Sequence, residues 1–61
     1  MTRIHIAVMD YCTGSIKMYN IEMPDNWQAE DVEKWLCDNT DYDRDQCYYM
    51  GNRNEIPVEY L

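Results

Sequence analysis

Apolar and polar residues alternate along residues 2–9 and again along residues 15–23. A period of two is typical of a β-strand with one buried face. The segment between the two runs ends in Thr13-Gly14, where glycine allows a tight turn. The pattern therefore predicts a β-hairpin closed by a two-residue turn.

This turn sets the expected register of the hairpin. It pairs the apolar side chains of one face, namely Ile4 with Met23, Ile6 with Ile21 and Val8 with Tyr19. It also predicts two favourable cross-strand pairs, Asp10 with Lys17 and His5 with Glu22.

A helix is predicted from Asn26 to Asp38, after Pro24 ends the second strand. Asp25 is the expected N-cap, and Gln28 stands at the position of a capping-box partner. Apolar residues at helical spacing form one face of this helix. They are Ala29, Val32, Trp35 and Leu36.

Two further strands are predicted after the helix, from Gln46 to Met50 and from Ile56 to Tyr60. Pro57 lacks an amide hydrogen, so the last strand is expected at an edge or only partly paired. The expected fold class is α+β with element order ββαββ. One helix would pack on one face of a small three- or four-stranded, mainly antiparallel sheet.

This element order resembles the ubiquitin-like β-grasp. Local features resemble it as well: a Thr-Gly hairpin turn, Glu22-Met23-Pro24-Asp25 before the helix, and Asp45-Gln46 before a strand that ends at Gly51. The resemblance implies that the final strand is central in the sheet. Conjugation is not expected because the chain shows no Gly-Gly tail, and the resemblance assigns no functional residue.

Length and composition predict one small domain that spans residues 1–61. A chain of this size buries only about 60% of its unfolded surface. Ten residues are Leu, Ile or Val and none is Phe, but six Tyr, two Trp and five Met bring the hydrophobic share to 46%. These residues predict a folded chain with a core rich in Tyr and Met.

The net charge of −7 disfavours direct binding to nucleic acid or to an anionic membrane, because both require cations on the protein. No apolar run approaches the ~20 residues of a membrane span, and no signal-like segment is present. We therefore expect a cytoplasmic protein.

Three cysteines, Cys12, Cys37 and Cys47, show no CxxC spacing. Free thiols are the expected state. A zinc site completed by His5 and a disulfide between Cys37 and Cys47 are the alternatives. His5 beside Glu22 would supply half of a general base without a nucleophile nearby, and no glycine-rich phosphate loop is present. Neither an enzyme nor a cofactor is expected.

The side of the hairpin that faces away from the predicted helix is unusually apolar. Such a face is normally polar in an antiparallel sheet, whereas Met and Tyr are typical of protein interfaces. The leading hypothesis is a non-enzymatic module that binds a second copy or a foreign protein through this face. The candidate residues are Met9, Tyr11, Ile16, Met18, Tyr48 and Tyr49.

Carboxylates concentrate along the predicted helix and the loop after it, where they could imitate nucleic acid on a basic protein surface. This acidic decoy is the second hypothesis; its residues are Glu30, Asp31, Glu33, Asp38, Asp41, Asp43 and Asp45. The third is weak calcium binding, since the last three have the spacing that opens an EF-hand loop. Gln46 and Asn52 stand where that pattern requires Gly and Glu.

Overall fold

The computed structural model describes all 61 residues. It contains strands β1 (Thr2–Asp10) and β2 (Ser15–Met23), helix α1 (Ala29–Asn39) and strand β3 (Cys47–Asn52). The strands form one antiparallel sheet in the order β2-β1-β3, and α1 covers one face. The predicted α+β class with one helix on a small antiparallel sheet is confirmed.

The structure has three strands, and a fourth is not formed. Residues 53–61 contain no regular secondary structure. Pro57 cannot donate to a strand ladder, which disfavours a regular strand there. The β-grasp resemblance therefore extends only to the coarse element order, because the central strand is β1 and the final strand, β3, lies at an edge.

The hairpin register differs from the predicted one by two residues. Asp10 pairs with Ser15, so that four residues, 11–14, form the turn, and Ile4 lies opposite Ile21 rather than Met23. A shift by two positions leaves every side chain on its predicted face, because the side-chain period of a strand is also two.

The side chain of Asp10 explains the wider turn. Its Oδ1 atom accepts hydrogen bonds from the amides of Cys12 at 2.9 Å and Thr13 at 3.2 Å. The Gly14 amide donates to the Asp10 carbonyl at 2.8 Å, and Gly14 adopts φ of 69°. An aspartate that binds the amides two and three residues ahead stabilises a turn that begins at the aspartate itself.

The two predicted cross-strand pairs have different outcomes. Asp10 and Lys17 form an ion pair at 3.2 Å, although they are diagonal neighbours in the observed register. The pairing of His5 with Glu22 is wrong, since His5 lies opposite Asn20. Glu22 lies opposite Arg3, with 3.8 Å between their charged groups.

Helix α1 begins at Ala29, three residues later than predicted, with Gln28 as its N-cap. The Gln28 amide donates to Asp31 Oδ2 at 2.9 Å, which satisfies an amide at the helix start. Asp25, the predicted cap, instead accepts a hydrogen bond from the Thr2 hydroxyl. It thereby connects the segment before α1 to the start of β1.

The core lies between α1 and the sheet and is mainly aliphatic, so the prediction of a Tyr- and Met-rich core is wrong. Its buried residues are Ile4, Ile6, Val8, Met23, Val32, Leu36 and Cys47. Tyr and Trp side chains surround this core and remain partly exposed, since their polar atoms favour its periphery. Of the predicted helix face, Val32 and Leu36 are buried, Trp35 is half-buried and Ala29 is exposed.

Candidate interaction surface

The outer face of the sheet is the side opposite α1. On it, Ala7 of the central strand lies between Met18 of β2 and Met50 of β3. One pair further towards the hairpin turn, Met9 lies between Ile16 and Tyr48. We call this set the outer apolar face: Ala7, Met9, Ile16, Met18, Tyr48 and Met50.

These side chains are largely accessible to solvent. Met9, Met18 and Met50 are 45%, 50% and 51% exposed, and Ile16 and Tyr48 are each above 60%. Tyr11 extends the surface beyond β1, with its ring edge-on to Tyr48 at a centroid distance of 5.8 Å. The structure thus places five of the six predicted interaction residues on one continuous surface.

Tyr49 is the exception and does not belong to this face. It lies opposite Val8, a core residue, so its side chain is on the helix side. Its hydroxyl donates to the Ala29 carbonyl at 3.1 Å, and its ring packs edge-on against Tyr42. Burial raises the pKa of the Tyr49 hydroxyl. Adjacent strand residues point to opposite sides, so Tyr48 and Tyr49 could not both face outward.

Met50 belongs to the outer apolar face although the sequence analysis did not select it. The signal was available, because Met50 is two positions after Tyr48 in the same strand and must share its face. The predicted strand ended at Met50, whereas β3 continues to Asn52, so that Met50 lies within the strand.

Residues 56–59 lie across part of the outer apolar face and form one wall of a groove. The groove has a volume of about 330 Å³, and nine of its eleven lining residues are hydrophobic. Ile56 is half-buried there, whereas Val58 remains 61% exposed. Residues 55–61 make no hydrogen bond to the sheet. Side-chain contacts alone therefore hold this segment against the face.

Charged groups lie at the periphery of the face. Arg3 and Glu22 form their ion pair at the end of the hairpin away from the turn. Nearby, His5 and Glu55 line a second depression beside Met18. The centre, around Ala7, has no charged side chain among its cross-strand neighbours.

Three of the seven predicted acidic-surface residues have partners within the chain. The Arg44 guanidinium donates to Glu33, a contact that raises the pKa of Arg44. Asp31 binds the amide at the helix start, and Asp43 Oδ1 accepts from the Asp45 amide at 2.9 Å. The remaining carboxylates make no ion pair or side-chain hydrogen bond. They are Glu30, Asp38, Asp41 and Asp45.

The predicted ion-binding residues are not gathered into a site. No group of three or more His, Cys, Asp or Glu side chains lies close enough together to hold a metal ion. The three cysteines are free thiols: Cys47 is buried in the core, whereas Cys12 and Cys37 are exposed. The structure therefore contains neither the Cys37–Cys47 disulfide nor the four-ligand zinc site considered as alternatives.

Comparison of this chain with protein-family models, with curated proteins and with solved structures finds no match. No helix has the length and apolar character that crossing a membrane would require.

Proposed function

We propose that this chain is a non-enzymatic interaction module that binds another protein chain through the outer apolar face. The observation that carries this proposal is the row of exposed Met, Ile and Tyr side chains on both sides of Ala7. Large contiguous apolar patches on small proteins mark interaction sites. Met and Tyr are enriched in such patches because they adapt in shape or combine an apolar ring with a polar group.

The form of the face favours a protein over a small molecule. A volume of about 330 Å³ is at the lower end for small-ligand sites, and Glu59 is the only charged residue in its lining, so it lacks a set of convergent charged groups that would orient a ligand. The exposed side chains extend beyond the groove to Tyr11. A broad surface of this kind matches the apolar centre and polar rim of a protein interface.

Site-specific photo-crosslinking tests the proposal directly. A photoreactive benzoylphenylalanine would replace Met18 on the outer apolar face in cells that produce the protein. We expect a protein adduct of defined mass after irradiation, because Met18 would be buried against the partner. The same residue in place of Lys34, on exposed α1, is the matched control and should give no such adduct.

Equal adduct yields at the two positions would contradict the proposal, since a specific interface must protect one side of the molecule. A second variant, Met50→Lys combined with benzoylphenylalanine at position 18, should abolish the adduct. Retention of the adduct in that variant would also contradict binding through the outer apolar face.

The three free thiols fit a reducing compartment, and we propose a cytoplasmic location.

The acidic surface supports a second, weaker candidate function, an acidic decoy for a basic protein surface. Its basis is the set of carboxylates without an internal partner, which includes Asp38 and Asp41. Under this hypothesis, replacing Asp38, Asp41 and Asp45 by Lys should abolish binding to the basic partner. Under the first hypothesis, the same replacements should leave the adduct of the crosslinker at position 18 unchanged. Glu33 and Asp43 are kept, because their structural contacts would confound the test.

A further inference from the structure

We infer that the partner of the outer apolar face is a second copy of this chain, related to the first by a two-fold axis. This inference rests on the proposed function and identifies the partner in that function as a second copy of the chain. Three independent features of the molecule favour it: the distribution of charge, the size of its broad side and the position of the core.

The distribution of charge leaves this face as the place where two copies can approach. Each chain has a net charge of −7, so two copies repel each other over most of their surfaces. The centre of the face is uncharged, and its rim includes the guanidinium of Arg3 and the imidazole of His5 together with Glu22 and Glu55. The cross-strand neighbours of Ala7 include no carboxylate, so self-association there avoids the cost of burying an unpaired charge of the sheet. Glu59 is the one carboxylate that lines the groove.

The broad side of the molecule that carries the outer apolar face is large enough for a stable dimer. The Cα atoms extend over 32 by 29 Å but are only 14 Å thick, so the molecule is a flat slab. A standard interface buries about 800 Å² on each partner. That area is about one sixth of the 4774 Å² surface of this chain and is comparable to one broad side of the slab.

The position of the core also favours a dimer. All seven buried residues belong to the layer between the sheet and α1, whereas the other side of the sheet is covered only in part, by residues 56–59. Two sheets pack face to face at about 10 Å. Packing two copies through the outer apolar face would give the layer order helix–sheet–sheet–helix, with residues 56–59 of each copy forming part of the contact. Methionine side chains, which adapt their shape, would fill the space between the two sheets.

Sedimentation equilibrium of the full chain, in reducing buffer and at protein concentrations from 10 μM to 1 mM, tests this inference. Reducing conditions are needed because exposed Cys12 and Cys37 could link copies by disulfides. We expect a dimer of about 15 kDa, twice the mass of the 7.4 kDa chain. Met18→Lys should raise the dimer dissociation constant at least ~100-fold, because two-fold symmetry would bury two ammonium groups.

Cys37→Lys is the matched control, since it adds the same side chain on the exposed surface of α1 and should leave the dimer intact. Circular dichroism checks that each variant is folded, and Met50→Lys replaces Met18→Lys if that variant is not. A monomer at every concentration would overturn the inference, as would a dimer that neither substitution weakens.

These outcomes are separate from those of the proposed function. If the chain is a monomer but the crosslinker at position 18 still gives an adduct with a different protein, the interaction module stands and only the identity of its partner changes. If neither experiment detects a partner, both proposals fail.

Discussion

Asp10 determines the geometry of the hairpin through two separate interactions. Its carboxylate accepts the turn amides of Cys12 and Thr13, and it forms the ion pair with Lys17. The Thr13 amide contributes most to lowering the pKa of Asp10, with smaller contributions from Lys17 and Cys12. The hydrogen bond that Lys17 itself makes with the Asp10 carboxylate raises the pKa of Lys17.

Two substitutions at Asp10 separate these interactions. Asp10→Asn keeps an acceptor oxygen for the turn amides but loses the charge, whereas Asp10→Ala loses both. We expect the urea midpoint, followed by tryptophan fluorescence at pH 7, to decrease in the order wild type, Asn variant, Ala variant. Equal midpoints for the two variants would show that the hydrogen bonds from the turn amides to the side chain do not contribute to stability.

The charge of Asp10 also predicts a dependence on pH. Because folding lowers the pKa of Asp10, its contribution to stability is complete above the ordinary carboxyl pKa of about 3.9 and is lost as the pH falls through the lowered value. The difference in urea midpoint between wild type and Asp10→Asn should therefore narrow in strong acid. A difference that stays constant from pH 7 to pH 2 would contradict this assignment.

Gly51 is a position where the helix touches the backbone of the sheet. A Cβ atom built there would lie 3.2 Å from Val32 Cγ2, inside ordinary contact distance. Val32 is fully buried and β-branched, so it has little freedom to move away. We expect Gly51→Ala to lower the free energy of unfolding by about 1 kcal/mol through overpacking.

A double-mutant cycle with Val32→Ala tests this cause. In the Val32→Ala background the added methyl group fills vacated space, so Gly51→Ala should be neutral or stabilising there. Gly14→Ala is the control: it costs stability because of its positive φ, and Val32→Ala should leave that cost unchanged. The measurements require stabilising sulfate so that the double variant remains folded.

At the scale of elements, periodicity predicted more than local turn and cap chemistry did. The alternation of Ile4, Ile6 and Val8 correctly predicted both the strand and its buried side, because burial on one face imposes a period of two. The predicted turn was wrong because two competing signals, glycine at position 14 and aspartate at position 10, favour different turn lengths, and the observed turn follows the aspartate.

The start of the helix shows the same limit. By sequence Asp25 is the expected N-cap and Gln28 its capping-box partner, whereas the structure uses Gln28 as the N-cap and Asp25 to bind the Thr2 hydroxyl 23 residues away. A contact of such sequence separation has no local signal. The outer apolar face also combines predictable and unpredictable parts. The alternation along the strands identified Met9 and Met18, whereas the position of residues 56–59 over the face depends on the path of the chain after β3.

The observed helix start leads to a prediction for two aspartates. Asp31→Ala removes the acceptor for the Gln28 amide and should cost about 0.5–1 kcal/mol and fray the first turn of α1. Asp25→Ala should leave the helix unchanged, because its contacts are with β1. Amide hydrogen exchange of residues 29–32 distinguishes the two variants, because only Asp31→Ala should accelerate it. Faster exchange in Asp25→Ala alone would mean that the helix begins where the sequence pattern predicted.

At the scale of the whole molecule, salt should strengthen the proposed dimer. Two chains of net charge −7 repel each other, and the repulsion is screened as the Debye length falls from about 14 Å at 0.05 M to about 4 Å at 0.5 M NaCl. The apolar contact itself changes little over this range. We therefore expect the dimer dissociation constant to decrease by ~3- to 10-fold, measured by sedimentation equilibrium.

The sign of this salt effect separates the two functional hypotheses. Binding of the acidic surface to a basic partner would weaken with salt, because opposite charges are screened. The Met18→Lys variant is the control and should remain monomeric at both salt concentrations. If the dimer of the wild-type chain weakens with salt, ion pairs at the rim dominate its stability, and the uncharged centre around Ala7 is not what holds the two copies together.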